Sequence, residues 1–290
     1  MKINSIEPNE THIAPNLPEP IRLQEYGVGI FSAAETKSAL KKALKKKQIT
    51  VNGHIATTAT FIKGGECINI YIPEEVSPKK KLVFPLEVIF EDEYLAVIHK
   101  PAGILVSGNS FKTIANALIQ NIKRSGLQDA AKPQPVHRLD YATTGILLVG
   151  KTSSSIRALN KLFENKVVDK TYYAISIGEM EQEGKITTEV DGKQSHSNYK
   201  VCESVSSERF GKLNLVQLEP KTGRRHQLRI HLSSIGNPIL GDKEYGIENL
   251  ILKGKGLYLH AHSLKFIHPF TNEEIYLKDE LPERFKKIFI

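Results

Sequence analysis

A short apolar run, Ile146-Leu147-Leu148-Val149, directly follows a block of polar and conformationally special residues, His137-Arg138-Leu139-Asp140-Tyr141-Ala142-Thr143-Thr144-Gly145. The run is too short for a helix and rich in branched side chains, so it reads as a buried strand. A sheet is therefore built into the fold, and Asp140 lies at its rim, where active sites commonly form on loops over a rigid scaffold. The block has a plainer reading as a turn, with Asp140 and the threonines bonding their own backbone and Gly145 left-handed. Spacing alone leaves both open.

With 290 residues the chain has room for a sizeable core and more than one domain. No apolar run is long enough to span a bilayer, and the first residues lack the apolar core of a signal peptide. Cys67 and Cys202 stand in no metal or redox spacing and read as reduced packing thiols. A cytoplasmic protein without membrane association follows, and we expect a monomer. The formal charge of +8 favours polyanionic partners. What matters is where the lysines cluster.

Residues 1–20, broken by Pro8, Pro15, Pro18 and Pro20, show no periodicity and read as a flexible tail. Residues 21–73 read as a small α+β unit. A helix opening at Glu35 or Thr36 puts Ala39, Leu40, Ala43 and Leu44 on one face and Lys37, Lys41, Lys42, Lys45 and Lys46 on the other. Lysines so arranged repel one another unless an anion compensates. Ile49-Thr50-Val51 alternates as a strand, Asn52-Gly53 signals a hairpin, and Gly64-Gly65 leads into a strand at 67–72. Such a unit can track phosphate backbones without reading sequence; a merely solvated helix face is the alternative. Residues 74–85, with Lys79-Lys80-Lys81, read as a linker.

From residue 86 onward the pattern changes. A hairpin of 88–90 and 95–98 leads to Lys100-Pro101-Ala102-Gly103, and a helix covers 111–125. Ser153 caps a second helix with Ile156, Leu159, Leu162 and Phe163 as its buried stripe. Strands follow at 171–177, 184–190, 197–205 and 213–219, a helix at 225–235, and a strand pair within 257–277. Strand runs with interspersed helices argue an α+β domain with a mixed, largely antiparallel central sheet.

Two further stretches carry chemistry. In Lys170-Thr171-Tyr172-Tyr173-Ala174 the tyrosines point to opposite faces, one to the core and one to a cleft. Thr222-Gly223-Arg224-Arg225-His226-Gln227-Leu228-Arg229-Ile230-His231 opens a helix, with Arg225 and Arg229 one turn apart. A helix start disfavours cations, so its arginines answer a carboxylate or phosphate. His226, His231, His260 and His262 lack partners at ligand spacing, which argues against a metal site. With no glycine-rich phosphate loop, no nucleotide cofactor is indicated.

On Lys37–Leu44, Ile49–Gly53 and Gly64-Gly65-Glu66, the first unit resembles the small S-four RNA-binding module. From residue 86 to the end the chain resembles the RluA-type RNA pseudouridine synthases. The residues that carry this likeness are Lys100–Gly103, 137–145, Lys170 with Tyr172, and 222–231, followed by Gly236, Pro238 and Gly241-Asp242. Thr144 stands where serine is usual, Arg225 where threonine is, and Ser107-Gly108 where His-Pro often follows.

The resemblance implies an isomerase that converts uridine to pseudouridine in RNA with no cofactor. Ribosomal RNA of the large subunit is the favoured target and transfer RNA the other. It implies that Asp140 is the catalytic carboxylate, adding to sugar or base or removing a sugar proton. Arg229 would be its cationic partner and Tyr172 the ring packed on the target uracil. Arg138 would fill the gap left by the flipped base or clamp phosphate. His137, Thr144, Lys170, Arg224 and His226 join it as expected RNA contacts, with Lys37, Lys41, Lys42 and Lys45 of the first unit. A catalytically silent RNA-binding, ribosome-assembly factor would share the basic module without needing Asp140, Tyr172 and Arg229. A glycoside hydrolase would want a second carboxylate across the bond, and no motif supplies one.

Overall fold

The computed structural model describes residues 7–72, 82–252 and 254–290. The chain divides into two compact units, residues 1–79 and 80–290. In the first, β1 (Glu10–Ile13) pairs with β6 (Cys67–Ile70), which pairs with β3 (Ile49–Val51), itself in a hairpin with β4 (His54–Ile55). β2 (Ile21–Arg22) and β5 (Phe61–Ile62) form a separate antiparallel pair beside α1 (Leu23–Tyr26). Part of the expected tail is thus an edge strand. Its Glu10 carboxylate accepts from the Ser32 N–H and hydroxyl at 3.0 and 2.7 Å and the Ala33 N–H at 3.2 Å, tying it to the body.

The basic helix α2 (Lys37–Lys45) begins where Thr36 accepts the Ala39 N–H at 3.2 Å. Leu40, Ala43 and Leu44 are buried against Leu23, Phe31, Ile49 and Ile68, while every lysine of the helix is exposed. Lys37 meets Glu25 at 2.7 Å, a pair open enough to solvent to contribute little to stability. Asn52 (φ 51°) and Gly53 (φ 79°) supply the two left-handed residues that a tight hairpin needs. Of the expected linker, 74–81 lies outside the described residues. Leu82 and Phe84 are docked: their carbonyls accept from Gln120, and Asn121 Nδ2 donates to Phe84 at 2.9 Å.

The second unit is built on one sheet. Its elements are β7 (Val88–Glu91), β8 (Leu95–Lys100), α3 (Ile114–Asn121), β9 (Ala130–Pro135), β10 (Thr144–Thr152) and α4 (Ser153–Glu164). Then come β11 (Asp169–Ile177), β12 (Glu183–Ile186), β13 (Ser197–Ser207), β14 (Gly211–Pro220), α5 (Gln227–Ser234), β15 (Leu259–Ile267), β16 (Glu274–Lys278) and α6 (Glu283–Lys286). The strand order is β12-β13-β14-β11-β15-β10-β8-β7, with β16 beside β15 and β9 beside β10. Every pairing is antiparallel except β10 with β15, so the α+β expectation of a mixed, largely antiparallel sheet holds.

The continuous apolar run in β10 reflects burial of both its faces. Ile146 and Leu148 pack with Leu95, Val97 and Leu159 of α4, and Leu147 and Val149 with Ala96, Ile98, Ile114 and Leu118 of α3. Helix α4 is capped by Thr152 rather than Ser153: Thr152 and Ser155 exchange side-chain-to-backbone bonds in a capping box. Helix α3 is shorter than its apolar spacing suggests, because Thr113 caps it and Ile122 leaves it in extended conformation. Strand β9 has no signature in the sequence; Pro133 and Pro135 confine it to the margin of the sheet.

Where β10 begins, Gly145 (φ +115°) lies so close to β15 that a Cβ there would sit 2.2 Å from the Ala261 carbonyl oxygen. The parallel pairing sets Thr144 beside His260 and Gly145 beside Ala261. It holds the turn carrying Asp140 against the centre of the sheet.

Candidate active site

That turn is closed by the Thr143 N–H donating to the Asp140 carbonyl at 3.2 Å. Beneath it lies Lys100, fully buried at the end of β8. Its Nζ donates to the carbonyls of Thr143 at 2.8 Å, Pro101 at 3.0 Å and Tyr141 at 3.4 Å. Burial pushes the Lys100 ammonium down to about 8, against the charge of nearby Asp140, which favours the protonated form. Tyr141 also accepts the Gly103 N–H at 2.8 Å, so the Lys100–Gly103 motif cradles the Asp140 turn.

Asp140 projects into a cleft of about 590 Å³. Its lining comes mainly from the loop before β10, the start of β11 and the residues leading into and opening α5. Phe163 and Glu164 at the end of α4, Lys166 just beyond it and Leu259 of β15 complete it. Tyr172 lies on the cleft side of β11, and burial followed by the Asp140 charge raises its phenol, which stays protonated. Tyr173 points away, its ring 5.1 Å from His262.

Arg229, on the first turn of α5, brings Nη1 to 3.9 Å from Asp140 Oδ2. Its closer partner is Asp242. Nε and Nη2 each donate to a separate Asp242 oxygen at 2.7 Å, and Nη2 reaches Glu244 at 3.1 Å. Asp242 is almost completely buried and also accepts the N–H groups of Glu244 and Tyr245. Burial alone would raise its carboxyl; the Arg229 bonds and those backbone donors outweigh burial and hold it below the ordinary range. The expected pairing of Asp140 with Arg229 is therefore a close approach, with the guanidinium oriented by Asp242. Gly241-Asp242 was legible in the motif, but nothing in the sequence tied it to Arg229.

His226 caps α5 in a left-handed conformation (φ 56°), unusual for a residue with a side chain. Its Nε2 lies 3.8 Å from Asp140 Oδ1, and its Nδ1 bonds the Tyr245 hydroxyl at 3.0 Å. The ring expected to touch RNA thus also flanks the acid. Arg225 precedes the helix rather than sharing a face with Arg229; it and Arg224 are exposed at the cleft mouth with Arg138.

One expected contact, Thr144, turns inward, and another, His137, lines the cleft wall with its ring held from behind. Thr144 is buried and its hydroxyl bonds His260 Nδ1 at 2.9 Å, so it docks the turn instead of facing the cleft. His137 stacks on Phe163 with centroids 4.7 Å apart, and its Nε2 accepts the Leu148 N–H at 2.9 Å. Burial, helped by the Lys170 charge, pushes His137 down to about 3, so the ring is neutral. Lys170 lines the cleft floor. Among the described residues no group of three or more His, Cys, Asp or Glu side chains is placed to hold a metal ion, and no helix is long and apolar enough to cross a membrane.

Residues 94–234 match the family model described as RNA pseudouridylate synthase. The ribosomal large subunit pseudouridine synthase C of Rickettsia prowazekii is 32% identical, over 95% of this chain and 98% of that one. An uncharacterized RNA pseudouridine synthase of Aquifex aeolicus is 31% identical over 88% of both chains. Among solved structures, human RNA pseudouridylate synthase domain containing 4 aligns with a TM-score of 0.54 and 26% identity, covering 69% of this chain and 90% of that one.

Proposed function

The chain belongs to the RNA pseudouridine synthase family, and from that premise we propose that its cleft isomerises a uridine of structured RNA with Asp140 as the reacting carboxylate. In this isomerisation the bond from ribose to ring nitrogen 1 breaks, the uracil turns, and ring carbon 5 joins the ribose. The proton lost from carbon 5 is matched by one gained at nitrogen 1, so no oxidant or group donor enters the balance. The demands on the protein are to hold two detached fragments and to stabilise charge.

The observation that carries the reading is the convergence on Asp140 of Tyr172 from β11 and of His226 and Arg229 from the start of α5. Tyr172 offers a ring to the uracil; base–aromatic stacking contributes about 1–3 kcal/mol. That offsets part of the few kcal/mol needed to take a base from its stack. Arg229 places positive charge beside the acid without neutralising it by direct pairing. Arg138 and Arg224, exposed at the mouth, reach phosphates or fill the vacated base position. The exposed lysines of α2, Lys37, Lys41, Lys42 and Lys45, supply an RNA-binding face on the first unit.

Large-subunit ribosomal RNA is the target we favour, because the Rickettsia prowazekii relative is named for it and aligns along nearly its whole length. A silent RNA-binding factor would have no use for Asp140 beside Arg229. The test is Asp140→Asn incubated with uridine-containing ribosomal RNA. RNA binding is expected to persist and pseudouridine formation to vanish; equal conversion by variant and wild type would overturn the assignment.

A further inference from the structure

We propose that a basic groove beside the cleft, floored by β14, β11, β15 and β16, carries the RNA strand that flanks the target uridine; this rests on the RNA-modifying reading of the Asp140 cleft. The groove encloses about 710 Å³, and its lining includes Lys166, Lys170, Pro220 and Lys221, all of which also line the cleft. It is therefore continuous with the place where the chemistry is assigned.

The pairing of strands explains its floor. Asp169 of β11 stands opposite Lys265 of β15, and Lys265 opposite Tyr276 of β16. Residues directly opposite share a face of the sheet, so Lys265 and Tyr276 present a cation and a ring side by side. Tyr276 is 53% exposed, far more than a core aromatic, and Lys278 Nζ lies 4.9 Å from its ring centroid.

The charges there call for an anion. Lys170 makes no ion pair among the described residues. Burial and then the charge of Lys221 press its ammonium below its ordinary value. Lys221 and Lys265 do have carboxylate partners, Glu219 at 3.2 Å and Glu274 at 3.1 Å, but both pairs are largely exposed and readily exchanged for phosphate. A phosphate seated at the shared rim relieves the Lys170–Lys221 repulsion. An acidic protein would satisfy the lysines but leave the exposed ring unused, whereas single-stranded RNA uses lysines for its backbone and aromatic faces for its bases.

Fluorescein-labelled oligouridylates of about 4 and about 12 nucleotides, spanning the range of single-strand site sizes, test this against the full chain. Lys166→Ala/Lys265→Ala should reduce the salt slope for the longer RNA by about 1.4, from two phosphate contacts at about 0.7 each. Tyr276→Ala should weaken it about tenfold while Tyr276→Phe does not, and the short RNA should lose little in any of them. A 12-mer carrying 4-thiouridine should crosslink to the Tyr276 peptide of the wild type, a readout that needs no variant. Folded variants with wild-type slopes, or crosslinks confined to the cleft, overturn the groove while conversion by the wild type keeps the reading of the cleft. A wild type that neither binds nor converts RNA overturns both.

Discussion

Arg229 grips both oxygens of Asp242 at 2.7 Å while its remaining nitrogen stops 3.9 Å short of Asp140. A guanidinium committed in this way has little freedom to swing toward the acid in its cleft, and its charge is held at a fixed distance from that acid. Asp242 is thus a positioning residue for Arg229.

Asp242→Asn should therefore cost about 3–5 kcal/mol, the usual penalty for leaving one member of a buried ion pair behind. Its folded carboxyl titrates below the ordinary value of 3.8, so its contribution is complete above that value and is lost as pH falls below it. Urea denaturation from pH 7 down to pH 2 checks both points. The variant should start less stable and lose less on acidification; a variant as stable as wild type at pH 7 would show the pair to be dispensable.

Lys100 should leave a mark at the other end of the pH scale. Its folded value of about 8 lies under the ordinary 10.5, so the unfolded chain holds more protons between those limits. Stability should rise as pH climbs through that window, by up to about 3 kcal/mol. Lys100→Met should abolish the rise and, by releasing three carbonyls of the Asp140 turn, lower the turnover rate. Chemical denaturation at pH 7.5 and 10 with each protein measures it.

His137 titrates near 3 when folded against an ordinary 6.5, so the wild type should lose stability as pH falls from about 6.5 toward 3. His137→Phe keeps a ring against Phe163 but strands the Leu148 N–H, a cost of about 1–3 kcal/mol at neutral pH. The variant should also lack this residue's share of the acid sensitivity. Comparing melting midpoints at pH 5 and 7.5 separates the two effects.

Gly145→Ala should destabilise the second unit by on the order of 3 kcal/mol, because the new methyl meets backbone rather than a flexible side chain. Gly53→Ala, at a hairpin with open space around it, should cost less, since only its backbone angle resists. Denaturant midpoints of the two variants give the ranking, and equal losses would argue against the close approach of β10 and β15.

The parts of the fold legible in the sequence are those set by local pattern. The continuous apolar run in β10, the Asn52-Gly53 hairpin and the amphipathic α2 all declare themselves within a few residues. What stayed hidden depends on distant partners. Strand β1 lies among prolines and is ordered by β6 and by Glu10 bonds to Ser32 and Ala33. Thr144 shares a motif with Asp140, but its turn toward the core is decided by distant His260, and the orientation of His137 on the cleft wall by Phe163. Lys100 stands in a recognisable motif, but its burial under the turn carbonyls depends on residues 41 and 43 positions away. The Asp140, Tyr172 and Arg229 cluster was reachable from motif order; the hold of Asp242 on Arg229 was not.

The parallel pairing of β10 with β15 also imposes an order on synthesis. Asp140 leaves the ribosome well before the strand that locks its turn, which, along with the Ala261 carbonyl packed on Gly145, is made more than a hundred residues later. A growing chain can fold the β7–β8 hairpin and bury β10 against α3 and α4, yet still lack the wall that sets the acid in place. Catalytic competence is thereby tied to synthesis of β15, so chains that stop before it would not modify RNA.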